Sequence, residues 1–357
     1  MNTFDSDSGF FGHVSRFVRQ ALTLPACIAA GALVAAPLAL LPSAHAQEVE
    51  IKLITGFPFD GPSGDKMYGA KLFIERFNAK AKGQARIRVV GGPEVVAPFD
   101  QLKALQTGQF DAMVTSQGYF NEMLGLQFIN YMTSDEQVKA MPKGYLTLQK
   151  ISREGAGVVL VQLSSPGLPF YLWSREAKPI TTLADFKGLK LRGNASVNAQ
   201  MAKYLGLVPT NLPSNDVYSA LRGGILDGAM RDSLSIEVLN EGEYLKHRSN
   251  ARLADFSSEL YLSNKAWDAL SPAVRQIMNT VARETETEAL EWMKVRVQRT
   301  DKLLTDKYKV KVASSPADVN DIIGRRIGGE LIKQIVGGSK YAAELTENFS
   351  LQPYLKD

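Results

Sequence analysis

The chain has 357 residues, 41 Lys plus Arg against 37 Asp plus Glu, a formal net charge of +4 and one cysteine, Cys27. So mild a positive excess, with no Lys/Arg cluster interleaved with aromatics, excludes a nucleic-acid surface. A lone cysteine excludes a disulfide framework, and a chain of this length can bury enough surface to be held by its core alone.

Residues 1–20 are polar, with Arg16 and Arg19 just ahead of an apolar run, 21–41, that leads to Ser43-Ala44-His45-Ala46. A basic start, an apolar middle and a small-x-small end describe a secretory signal peptide over 1–46, so the mature chain is expected to start at Gln47. An uncleaved membrane anchor is the alternative, because the run approaches spanning length. Pro25, Gly31 and Pro37 inside it speak for cleavage.

Residues 48–55 (EVEIKLIT) alternate polar and apolar, the period of a half-buried strand. A turn-rich 56–64 leads into 65–80, where Met67, Ala70, Phe73, Ile74 and Phe77 keep helical spacing. Strands follow at 85–90 and 112–114. The spacing predicts a helix over 142–153, opened by Pro142, then apolar strands at 157–163 and 169–173, a short strand at 190–192 and a helix at 196–205. Strands interleaved with helices in this way give parallel or mixed sheets. Ser271-Pro272 opens a stretch with no glycine or further proline to about residue 306. That predicts one helix of roughly 50 Å, enough to brace two lobes, with two helices kinked near Arg299-Thr300 as the alternative. From Gly337 onward the sequence carries no usable signal.

Two segments echo each other. In 100–113 (DQLKALQTGQFDAM) and 216–230 (DVYSALRGGILDGAM), Asp, Ala, Leu, Gly and Asp fall at the same offsets, 116 residues apart. The matched positions are Asp100, Ala104, Leu105, Gly108 and Asp111, and Asp216, Ala220, Leu221, Gly224 and Asp227. Each reads as a short helix opened by Asp, ended by a glycine free to turn left-handed, and followed by a strand. Two copies of one helix-turn-strand device suggest two α/β lobes with a cleft between them, where small-molecule sites concentrate.

Catalytic chemistry is poorly supplied. Beyond the leader His247 is the only histidine, and it sits in the charged run Lys246-His247-Arg248, so His-based metal sites and Ser-His or Cys-His catalysis lack their residues. No phosphate-binding or dinucleotide glycine motif is present, and no metal or cofactor is expected. Arg192 closes a short strand just before Gly193, Asn194 and a helix start. A guanidinium fork beside a helix N-terminus suits an anion, and a surface pair with Asp185 is the alternative.

The runs KGLKLR (187–192), AKYLG (202–206) and DVYSALRGGILDG (216–228) resemble the signature of solute-binding proteins of tripartite ATP-independent periplasmic (TRAP) transporters. The opening EVEIKLIT, the Gly91-Gly92 turn, the first echo and the helix after WDALSP (267–272) match as well, so the resemblance covers 48 to about 306. It implies a two-lobed α/β periplasmic-binding-protein fold with mixed sheets, strand hinges and a long lobe-spanning helix. It also implies closure over one organic acid, gripped through its carboxylate by Arg192, and delivery to TRAP membrane permease subunits. The chain departs from the pattern between Arg192 and Ala202, where it is one residue shorter and has Gly193-Asn194 in place of a bulkier pair, a change expected to re-aim Arg192. It departs again at Ala229-Met230-Arg231-Asp232, where Arg231 stands at a ligand-contact position, either as a second cation or neutralised by Asp232. The third departure is the wholly apolar 169–173, where Phe170 and Trp173 offer aromatic faces.

The sequence is thus read as a periplasmic, non-enzymatic binder of a small organic carboxylate, expected to work as a monomer without nucleic-acid partners. Lobe I is expected to comprise 47–168 plus 256–297, and lobe II 169–255 plus 298–357. Ligand-binding candidates are Arg192, Arg231, Asn194, Trp173 and Phe170, with Tyr119, Gln117 and Phe57 from loops of the first lobe. An exported enzyme acting on a small acid and a binder feeding a signalling receptor are the alternatives.

Overall fold

A computed structural model describes residues 48–193 and 195–355; the leader and Asn194 lie outside the described residues. In chain order the first strands are β1 (Val49–Thr55), β2 (Ala85–Gly91), β3 (Ala112–Thr115), β4 (Val158–Leu163), β5 (Leu168–Arg175) and β6 (Lys190–Gly193). The remainder are β7 (Val208–Asn211), β8 (Gly228–Asp232), β9 (Leu245–Arg248), β10 (Ala254–Phe256), β11 (Glu259–Ser263) and β12 (Lys311–Val312). They form two mixed sheets, one ordered β2-β1-β3-β11-β4 and the other β12-β9-β5-β8-β6-β7, with β10 paired to β5. Near-continuous burial along β3, β4, β8 and β11 fits strands covered on both faces.

The echoed segments do the same work in each sheet. Helices Gln101–Gln106 and Val217–Arg222 are followed by Gly108 (φ 79°) and Gly224 (φ 71°), a left-handed turn that glycine adopts without strain. Asp111 then exchanges backbone hydrogen bonds with strand β1, its N–H donating to Lys52 O (2.9 Å) while its carboxylate accepts from Lys52 N (2.9 Å). Asp227 repeats both bonds on Lys190 of β6, at 2.8 and 3.0 Å. The conserved offset is therefore a stitch between the end of one strand connection and the start of the neighbouring parallel strand. Asp100 and Asp216 do occupy the N-cap positions, but neither side chain makes a capping hydrogen bond.

Two chain crossings join the sheets, and they run side by side. Leu163 to Leu168 carries the chain from β4 to β5, and Phe256 to Glu259 returns it from β10 to β11. Ser164 N donates to Ser258 O (2.7 Å) and the Ser165 and Ser258 hydroxyls lie 2.6 Å apart, so the crossings are bonded to each other.

Helix Pro272–Tyr308 is the third connection. It is continuous through Arg299-Thr300, because Thr300 is buried and hydrogen-bonded to Glu237 (2.5 Å) rather than breaking the helix. Ser271 caps it by accepting from Val274 N, and Pro272 takes the first helical position. Along its length Val274, Met278, Val281 and Ala282 join the core of the first sheet. Met293 and Val297 then pack with Leu168 and Leu234, and Leu304 and Tyr308 join the core around Trp173 and Leu221.

Two expectations need correction. The helix expected over 142–153 spans Ser134–Ala156 and encloses Pro142. Its true start is the Thr133/Glu136 capping box, in which each side chain satisfies the other's backbone N–H. The stretch from Gly337 onward, which carried no usable signal, is helical at Ala342–Asn348 and follows a helix at Ile327–Gly337. There Gly328 packs against Tyr131, and Phe349 sets its ring edge-on to Phe128 at 5.3 Å, so part of 298–357 covers the 121–156 region. No helix of the described residues is long and apolar enough to cross a membrane.

Candidate functional site

A cleft opens at the C-terminal ends of parallel strands β1 and β3 on one side and β6 and β8 on the other, where ligand sites of open α/β sheets form. It encloses about 630 Å³ of space, its solvent mouth included. Phe57 reaches it from the loop after β1, Lys66 from the 3-10 turn Pro62–Met67, and Ser116, Gly118 and Tyr119 from the loop after β3. The second sheet contributes Arg192 at the end of β6, Met230, Arg231 and Asp232 from β8, and Phe170 from β5. Strand register sets Ala254, Phe170 and Asp232 in one row across β10, β5 and β8, and all three face the cleft.

One wall is aromatic. Phe170 and Phe256 stack with centroids 5.2 Å apart and planes 2° apart, and Phe57 meets Phe256 edge-on at 5.8 Å. Three cations share the cleft with it: Lys66, whose Nζ lies 5.8 Å from the Phe57 ring and 5.6 Å from the Phe256 ring, and Arg192 and Arg231 from the second sheet. Arg192 is 5% exposed, and its Nε donates to Leu212 O (3.1 Å). Among the described residues no carboxylate pairs with it, so the rest of its fork is available to a ligand. Burial, with the Arg231 guanidinium nearby, lowers its pKa to about 10, which still leaves it charged at neutral pH. Tyr119 stands close by, and burial raises its pKa, keeping the hydroxyl neutral.

The other two cations are already engaged. Arg231 donates from Nε to Glu241 Oε2 (2.9 Å), from Nη2 to Glu241 Oε1, and to the Ser214 hydroxyl (2.7 Å) and carbonyl (3.0 Å). Asp232, the partner proposed for it from sequence, instead pairs with Lys66 across the cleft at 2.8 Å. Burial alone would raise the Asp232 pKa, but the Lys66 ammonium and the Ser235 hydroxyl outweigh it and hold the carboxyl ionised. Asp185, the other partner considered for Arg192, is half-buried and caps its own turn through Thr181 and Thr182.

Of the sequence candidates, Arg192, Arg231, Phe170, Tyr119 and Phe57 meet around one cavity. Trp173 does not line it: it is fully buried behind β8, with Nε1 donating to Arg231 O (3.0 Å). Gln117 is also buried behind the lining, where its side chain holds Asn130 (3.1 Å) and its backbone carbonyl accepts from Gln127 (3.1 Å). Sequence reading missed Lys66, Glu241, Ser214 and Phe256. Lys66 and Asp232 are 166 residues apart, and nothing local marks the pair. No group of three or more His, Cys, Asp or Glu among the described residues is placed to hold a metal.

The sequence profile of bacterial extracellular solute-binding protein family 7 matches residues 61–321. The C4-dicarboxylate-binding periplasmic protein DctP of Rhodobacter capsulatus is 27% identical over 332 residues, spanning 85% of this chain and 96% of its own. A solute-binding protein of Albidiferax ferrireducens is 25% identical over 267 residues, 70% of this chain and 75% of its own. Among solved structures, a Bordetella pertussis extracytoplasmic solute receptor binding pyroglutamic acid superposes with a TM-score of 0.72 at 19% identity. That match covers 85% of this chain and 99% of the receptor. A TRAP transporter solute-binding protein from Bordetella bronchiseptica, with copurified calcium and picolinate, gives 0.73 at 20% identity over 85% of this chain and 91% of its own. At such identities the two structures speak for the fold, which is the two-lobed one expected. With a profile match over well more than half of its length, the chain belongs to family 7 of the bacterial extracellular solute-binding proteins.

Proposed function

We propose that this protein is a periplasmic solute-binding protein that captures a small organic acid in its cleft and delivers it to a TRAP-type permease. The observation that carries this reading is Arg192, a buried guanidinium that lines the cavity while no described carboxylate pairs with it. A buried unpaired cation is costly, and a carboxylate that accepts its fork removes that cost. Carboxylates are also what the relatives' names share: C4-dicarboxylates, pyroglutamic acid and picolinate. The TRAP permease follows from the description of the Bordetella bronchiseptica protein, and the periplasmic location from that of the Rhodobacter capsulatus relative.

The same reading makes 1–46 a cleaved leader and gives the first sheet with 256–297 to one lobe and the second sheet to the other. The protein works as a monomer and holds its ligand without turning it over. Phe57, Tyr119 and Phe170 contact the ligand body, while Trp173 and Gln117 support the residues that do.

Thermal shift and calorimetry on Gln47–Asp357 test it against monocarboxylates, dicarboxylates, sugar acids and aromatic acids. A ligand at 100 times its Kd stabilises the native state by about 2.7 kcal/mol. Arg192→Ala is expected to weaken binding of the best acid at least 100-fold, because a charge-assisted bidentate contact is lost. The unliganded melting temperature should change by only a few degrees. Unchanged affinity in that variant would rule out Arg192 as the anchor.

A further inference from the structure

We infer that the cleft is built for a ligand carrying one negative charge, a compact monocarboxylate with an apolar face, and that it disfavours dicarboxylates. This rests on the organic-acid reading above and goes beyond it by fixing the ligand's valence. Three cations reach the cavity: Lys66, Arg192 and Arg231. Two of them carry their own counter-charges. Lys66 meets Asp232 at 2.8 Å with side chains 6% and 1% exposed, and Arg231 meets Glu241 with side chains 2% and 0% exposed.

Donor geometry agrees with the charge count. Arg231 directs Nε and Nη2 at Glu241, and Nη1 and Nη2 at Ser214, which occupies four of its five N–H groups. Arg192 spends only Nε, on Leu212 O, among the described residues. Further out, Asp255 is paired with Arg252 at 3.1 Å, and burial raises Glu259, behind Gln117, towards its neutral form. The site is therefore one positive charge in excess, and one carboxylate balances it.

A second carboxylate would meet no further unpaired cation: Phe57, Phe170, Phe256 and Met230 offer no donor, and Ser116, Tyr119, Asn130 and Asn211 offer neutral groups alone. Buried without a cation of its own, such a charge loses more in hydration than neutral donors return. Alternatively it would have to break the pair that Glu241 makes with Arg231 and leave Glu241 buried and unpaired. Either route makes the dianion the weaker ligand.

The test is calorimetry on folded, ligand-free Gln47–Asp357 with acids that share a carbon frame: benzoate against phthalate, cyclohexanecarboxylate against cyclohexane-1,2-dicarboxylate, and butanoate against succinate. The best-bound frame is expected to bind at least tenfold more tightly as the monocarboxylate. A dicarboxylate that binds as tightly as its partner or more so overturns the inference and leaves the organic-acid reading standing. No binding by any acid in this set or in the wider screen overturns both. Glu241→Gln, which releases Arg231, should move the ratio at least tenfold towards the dicarboxylate, and an unmoved ratio in a folded variant also counts against the inference. Should that variant fail to fold, the wild-type comparison decides alone.

Discussion

Glu286 shows how one buried side chain ties the chain's stability to pH. It lies on the long helix, 1% exposed, accepts from Leu163 N (2.8 Å), where the first crossing leaves β4, and forms an ion pair with Arg283 (2.8 Å). Burial outweighs both partners and pushes its carboxyl from the usual 4.5 up to about 7. Between those values the native chain holds a proton that the unfolded chain has released. Stability therefore falls as pH rises from about 4.5 to 7, by about 3 kcal/mol in total. Glu286→Gln keeps an acceptor for Leu163 and removes the titration. Melting curves at pH 5 and pH 8 should show the variant gaining on wild type at the higher pH, and an equal gap at both refutes the assignment. Legibility at this scale follows sequence distance. Arg192 could be singled out because the features that suit it to an anion, a strand end and a helix start, are adjacent in the chain. Lys66 could not, because its meaning depends on Asp232 in the other sheet. Glu241 sits ten residues from Arg231, at no spacing that a strand or helix would bring together.

Elements were legible where their signals were local. The two echoes carry their own glycine turns and the 272–308 helix its own cap and unbroken run, and they form as expected. The 134–156 helix was cut short because Pro142 reads as a start, whereas the Thr133/Glu136 box opens nine residues upstream of a proline that the helix absorbs. Trp173 and Phe170 belong to one strand buried on both sides, so alternation separates their faces without telling which face meets the cleft. Packing between elements is sharpest at Gly69, on helix Tyr68–Lys80. A Cβ there would lie 2.1 Å from Ser164 O, backbone of the first crossing, so helix and crossing touch directly. Gly69→Ala is expected to destabilise by about 1–3 kcal/mol, the usual cost of overpacking. Urea denaturation measures it, and a neutral result would mean that the helix can slide on the crossing without cost.

At the scale of the whole molecule, the Lys66–Asp232 pair holds the two sheets together from inside the cleft, with Ser235 also accepting from Lys66. Removing Lys66 alone would leave Asp232 buried and unpaired, a loss of about 3–5 kcal/mol. The double variant Lys66→Met/Asp232→Asn instead keeps the site's net charge while deleting the latch. Its unliganded form is expected to have a larger radius of gyration in X-ray scattering than wild type, and a bound acid should restore the wild-type value. Equal values without ligand would show that the pair does not hold the lobes closed. The long helix has an inheritance consequence as well. Its first turns complete the core of one lobe and its last turns that of the other, so neither lobe's interior is encoded in one continuous stretch. A chimera joining one lobe of this chain to the other lobe of a relative must therefore splice within the helix, near Ala289–Val297. Recombination elsewhere would leave each half with a foreign face in its core, so the two lobes are bound to evolve as one unit.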